Sequence, residues 1–121
     1  MYKILVFVAF VSCLSQSEAC PSDYSHGKND DYCYHIGKIP MSHNEAEIYC
    51  ESMNLGELAH QPLPNSLKNI LRFIVSKLPS IRKWWLADCK ELELASIGTG
   101  KFKTNDLNCS EKRMPICETV R

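Results

Sequence analysis

The chain has 121 residues, and its 14 Lys+Arg balance its 14 Asp+Glu. Neither a nucleic-acid binder nor a polybasic membrane-surface protein is expected, since both rely on a basic surplus. Seven cysteines in so short a sequence point instead to a domain stapled by disulfides in an oxidising compartment.

Met1-Tyr2-Lys3 supplies a positive start, Ile4 to Val11 an apolar run, and Ser17-Glu18-Ala19 a small-residue exit. This pattern predicts a secretory signal peptide over residues 1–19 and a secreted, extracellular domain over residues 20–121. The apolar run is too short for a membrane span, and nothing of its kind recurs. Lys3 and Glu18 leave with the leader, so the charges stay balanced at 13 each (14 minus 1 on either side). Cys13 leaves too. The six that remain are Cys20, Cys33, Cys50, Cys89, Cys109 and Cys117, which allow 15 pairings. A bridge contributes roughly 2–4 kcal/mol, a large share of a domain's roughly 5–15 kcal/mol.

Cys20 to Asp31 is polar and reads as a loop closed by Cys33. Tyr32 to Ile39 is aromatic and β-branched and predicts a strand, with Gly37 as a bulge. Ser42-His43-Asn44-Glu45 is an S-x-x-E capping box. It opens a helix whose inner face carries Ala46, Tyr49, Cys50 and Met53, and Gly56 is expected to supply its left-handed cap. Past Pro62 and Pro64, a second helix capped by Ser66 places Leu67, Ile70, Leu71, Ile74 and Leu78 on one face, and Pro79 stops it. Trp84 to Cys89 predicts an aromatic strand, Glu91 to Ile97 its continuation, Gly98-Thr99-Gly100 a turn, and Lys101 to Thr104 a hairpin arm. A terminal strand follows, with Cys109 and Cys117 eight residues apart. Strand, helix, helix and then several short strands make an α+β order in one domain.

These residues together resemble the C-type lectin-like domain family over nearly all of residues 20–121. Cys20 with Cys33-Tyr34 looks like its long-form N-terminal hairpin. Ser42, Glu45-Ala46 and Cys50 look like its first helix, and Gly56-Glu57-Leu58-Ala59 like the turn after it. Trp85-Leu86-Ala87 is similar to the family's buried W-I-G strand. Asn105-Asp106, Cys109 and Ile116-Cys117-Glu118 are similar to its closing pattern. The resemblance implies the lectin-like fold: two helices, short antiparallel sheets and three disulfides. It also implies the pairings Cys20–Cys33, Cys50–Cys117 and Cys89–Cys109.

Sugar-binding members of that family carry a long loop after the W-I-G strand, with an E-P-N or Q-P-D triplet that ligates calcium. Here Ala87 and Asp88 alone separate Leu86 from Cys89, neither triplet occurs, and Thr104 stands where the tryptophan of W-N-D would be. Calcium takes six to eight oxygen ligands. Asn105 and Asp106 offer two or three and Glu91 or Glu93 one more, so no cofactor is expected and the pair reads more simply as a turn before Cys109.

His26, His35, His43 and His60 show no metal-type spacing among themselves, and no metal is expected. Ser42 and Ser66 read as helix caps rather than nucleophiles, no G-x-S-x-G is present, and an enzyme is not expected. Trp84 and Trp85 should alternate across their strand. An outward Trp84 would be the leading ligand contact, with Asn105 and Asp106 beside it as further candidates. Asn108-Cys109-Ser110 fits the N-glycosylation pattern. The expected function is a secreted recognition module for a glycan or an extracellular protein. The alternative is a lectin-like scaffold acting as a protein-binding inhibitor, a toxin or an extracellular structural component. With every cysteine paired within the chain, a monomer or a non-covalent oligomer is expected.

Overall fold

The computed structural model describes residues 20–21, 24–26 and 32–120. The expected signal segment and much of the loop after Cys20 lie outside the described residues. Among these residues nine elements follow one another: β1 (Ser25–His26), β2 (Tyr32–Ile36), α1 (His43–Ser52), β3 (Glu57–Leu58), α2 (Asn65–Lys77), β4 (Lys83–Leu86), β5 (Lys90–Ser96), β6 (Lys101–Asp106) and β7 (Met114–Val120).

The strands form one sheet in the order β1-β2-β7-β4-β5-β6, and β3 also pairs with β7. β7 is the hub. It takes β2 along one edge, from Ile36↔Ile116 to Tyr32↔Val120. Along the other it takes β4 at Met114 and Pro115, then β3 at Cys117 and Glu118. The β4–β7 pair is parallel, a departure from the all-antiparallel expectation, while the other ladders are antiparallel.

α1 begins as its capping box requires. The Ser42 hydroxyl accepts the Glu45 N–H at 3.3 Å, and the Glu45 carboxylate accepts the Ser42 N–H at 2.9 Å. That arrangement satisfies two amides which a helix start would otherwise leave bare. The left-handed residues after the helix are Asn54 and Leu55, both at φ 58°, not Gly56. Gly56 is needed for closeness instead, because a Cβ there would lie 2.1 Å from the Tyr24 hydroxyl. α2 starts at Asn65 with Pro64 at its N-cap and no side-chain cap, so Ser66 lies within the helix. Its buried stripe is Leu67, Leu71 and Val75, whereas Leu78 is exposed.

Two apolar clusters cover the two faces of the sheet. Leu67, Leu71 and Val75 of α2 pack with Tyr34, Trp84, Leu86, Leu92, Leu94 and Ile116. Ala46 and Cys50 of α1 pack with Tyr24, Cys33, Leu58, Trp85 and Cys117. β4 is interior to both, so its successive residues Trp84, Trp85 and Leu86 are all buried.

Three bridges tie the layers together. Cys20–Cys33 closes the N-terminal hairpin, Cys50–Cys117 pins α1 to β7, and Cys89–Cys109 joins the β4–β5 turn to the turn after β6. These are the pairings that the family resemblance implies.

Candidate functional site

The residues singled out as contacts separate in the structure. Trp84 is fully buried, which corrects the expectation of an outward contact residue. Alternation along a strand exposes every second side chain only where one face meets water. Here helices cover both, with Trp84 in the α2 cluster and Trp85 in the α1 cluster. The Trp85 indole N–H donates to the Met41 carbonyl at 2.8 Å. That of Trp84 has no hydrogen-bond partner among the described residues.

Asn105 and Asp106 end β6 rather than forming a turn. They lie opposite Glu91 and Lys90 of β5, and the cluster they build is internally neutralised. The Asn105 amide donates to Glu91 Oε2 at 2.9 Å and to Glu93 Oε1 at 3.2 Å. Glu91 Oε1 accepts Arg113 Nε at 2.7 Å, Lys103 lies 3.5 Å from Glu93, and Lys90 pairs with Asp106. Burial pushes the Glu91 carboxyl up, but the hydrogen bonds from Asn105 and Arg113 and the Arg113 charge outweigh it, so the carboxyl is held below its ordinary value. Three cations and an amide thus engage both oxygens of Glu91 and one oxygen each of Glu93 and Asp106, neutralising the charge that would draw calcium.

The β4–β5 connection is three residues long, Ala87 to Cys89. It turns through Asp88 at φ 61° and Cys89 at φ 52°, in left-handed backbone that non-glycine residues rarely adopt. His43 anchors this turn from α1. Its Nε2 accepts the Cys89 N–H at 3.0 Å while its Nδ1 lies 2.9 Å from Glu47. The buried imidazole thus spans helix and turn, its Nε2 also lying 3.2 Å from the Leu86 carbonyl oxygen.

Beside it opens a cleft of about 230 Å³ lined by His43, Glu47, Glu51, Glu57, Leu58, His60, Ala87 and Asp88. Glu118 stands at its margin. Its Oε1 accepts the His60 N–H at 2.7 Å and meets His60 Nδ1 at 2.8 Å. The hydrogen bond to Glu118 raises the His60 pKa, burial opposes it, and the charges of Glu118, Glu57 and Asp88 reinforce the rise. Sequence reasoning passed over this group. Glu57-x-x-His60 was its local signal, but Glu118 lies 58 residues further on.

A larger groove of about 630 Å³ lies between the α2–β4 connection and the start of β7. Pro40, Ile81 and Met114 form its apolar part. Arg82, Lys83, Lys112 and Arg113 face a single carboxylate, Glu93, among its lining residues. Asn108, the glycosylation candidate, is exposed. Its side-chain oxygen accepts the Ser110 N–H at 2.9 Å and the Ser110 hydroxyl at 2.7 Å.

No protein-family model and no curated protein sequence matches the chain. Solved structures do. The CTLD of mouse CD72a is 22% identical, with 84% of this chain and 93% of that one aligned at a TM-score of 0.63. EMS16, an antagonist of the collagen receptor integrin α2β1, is 15% identical, with 84% and 100% covered at a TM-score of 0.65. The C-type lectin domain of murine dendritic cell inhibitory receptor 2, solved in complex with N-glycan, is 17% identical, with 85% and 100% covered at a TM-score of 0.61. The chain has the C-type lectin-like fold.

Proposed function

We propose that this protein is an extracellular lectin-like binding module that engages a protein partner without calcium, through the basic groove between the α2–β4 connection and β7. The observation that carries the reading is the neutralised cluster of Glu91, Glu93, Asn105 and Asp106. Its three carboxylates are paired with Arg113, Lys103 and Lys90, and no long loop follows β4 to complete a cage. Three disulfides suit an oxidising, extracellular setting. Among the described residues no helix is long and apolar enough to cross a membrane. An integrin antagonist among the structural neighbours is in keeping with a protein partner.

Lys83 and Lys112 are the exposed cations of the groove, so an acidic protein segment is the complementary surface. The N-glycan complex of another neighbour makes sugar the second reading. The test is a binding screen of the disulfide-intact protein against an array of extracellular proteins and a glycan array, each with millimolar calcium and again with chelator. The expected result is a protein ligand, insensitive to chelator and weakened by Lys83→Glu with Lys112→Glu. Binding that chelator abolishes and calcium restores would overturn the reading. Glycan binding insensitive to chelator would move it to the sugar alternative.

A further inference from the structure

The acidic cleft holds a donor set that the binding reading leaves unused. Glu57 and Glu118 face each other directly in the antiparallel β3–β7 pair, where like charges repel. His60, three residues beyond Glu57, brings its Nδ1 to 2.8 Å from Glu118 Oε1 and 3.6 Å from Glu57 Oε1. One ligand atom from each residue lies within 4.8 Å of the other two. We propose that Glu57, His60 and Glu118 form a binding site for a divalent transition-metal ion of the zinc type, with its fourth position open to the cleft.

Tetrahedral zinc, with bonds of about 2.0–2.2 Å, sets its ligand atoms roughly 3.3 Å apart. The two distances around Nδ1 bracket that spacing. Glu118 is the fixed member, with a side chain 7% exposed and held by the His60 backbone N–H. Glu57 and His60 are 68% and 52% exposed, so small side-chain adjustments complete the geometry. Calcium would need six to eight oxygens, far more than two carboxylates supply, whereas an imidazole with carboxylates suits zinc, copper or nickel. Glu47, Glu51 and Asp88 add negative charge around the open position, and none of the described residues lining the cleft is Lys or Arg. An incoming ion cancels the carboxylate repulsion and displaces the proton that His60 Nδ1 shares with Glu118. Metal and proton therefore compete, and affinity falls in acid.

Calorimetric titration of the disulfide-intact chain with zinc chloride, at neutral pH and again in mild acid, tests this. The expected result is one ion per chain at neutral pH, weaker in acid. Affinity should fall by about tenfold or more in His60→Gln and in Glu57→Gln, and stay unchanged in Glu51→Gln, which lines the cleft without ligating. Cobalt(II) should show the intense visible absorption of a four-coordinate site in wild type and lose it in His60→Gln. Absence of zinc binding would overturn the proposal. So would a His60→Gln titration equal to wild type, or calcium binding as tightly as zinc.

Discussion

Two carboxylate clusters lie on this small molecule, and they are wired differently. On β5 and β6, Glu91, Glu93 and Asp106 each meet a lysine or arginine of the same chain. In the cleft, the ion-pair partners of Glu47, Glu57 and Glu118 among the described residues are histidines. The residue types match, but the resident counter-charge decides their use. A permanent guanidinium or ammonium closes a cluster and makes it structural. A histidine, whose charge is not permanent, leaves its cluster open to an outside cation.

Removing the frame common to both clusters has the largest effect. Cys50→Ala opens a loop with a sequence separation of 67 and releases β7, which carries Glu118 next to Cys117. A loss of about 4 kcal/mol is expected, read as a lower urea midpoint. An unchanged midpoint would mean that the bridge does not constrain the chain.

Arg113→Ala comes next. It leaves Glu91, whose side chain is 4% exposed, with the Asn105 amide as its side-chain hydrogen-bond partner and the more distant Lys83 charge. Stripping one member from a fully buried pair costs about 3–5 kcal/mol. Arg113 is 22% exposed, so about 2–3 kcal/mol is expected here.

The two clusters should also separate by pH. Glu91 titrates below its ordinary value in the folded state. Its contribution is present above the unfolded pKa of about 4.5 and is lost as pH falls through the folded one, so Glu91→Gln should flatten the acid limb of the stability curve. His60 titrates above its ordinary value. Its contribution is complete below about pH 6.5 and is lost as pH rises through the folded pKa, so His60→Gln should flatten the neutral limb instead. An acid limb unaltered by Glu91→Gln would dissolve the contrast. The smallest effect belongs to Asp106→Ala, which removes an ion pair to Lys90 at an exposed site. Its melting temperature should match wild type, since exposed pairs contribute little.

How much of this could be read in the sequence depended on the distance between cause and effect. The capping box of α1 is four consecutive residues and stands as written. The Gly98-Thr99-Gly100 turn was legible for the same reason, with Gly100 at φ 67°. The C-cap was not, because Gly56 is required by Tyr24, a neighbour from another part of the chain. Nor could the alternation of Trp84 and Trp85 say that both faces of β4 are covered, since that depends on where α1 and α2 dock. Asn105 and Asp106 were legible as a motif, but Arg113, which meets the Glu91 charge in place of a metal ion, comes from the segment between β6 and β7. The cleft joins His60 to Glu118 and lay beyond any local spacing.

The position of β7 has a consequence for biosynthesis. The hub of the sheet, Met114–Val120, emerges after every strand it pairs with. Until then β2, β3 and β4 have no common partner on the ribosome, and Cys50 waits for Cys117. Domains generally fold as units while synthesis proceeds at about 5–20 residues per second. Cys20 and Cys33 can join early, but the nascent chain must keep Trp84 and Trp85 from aggregating for several seconds before its central strand arrives.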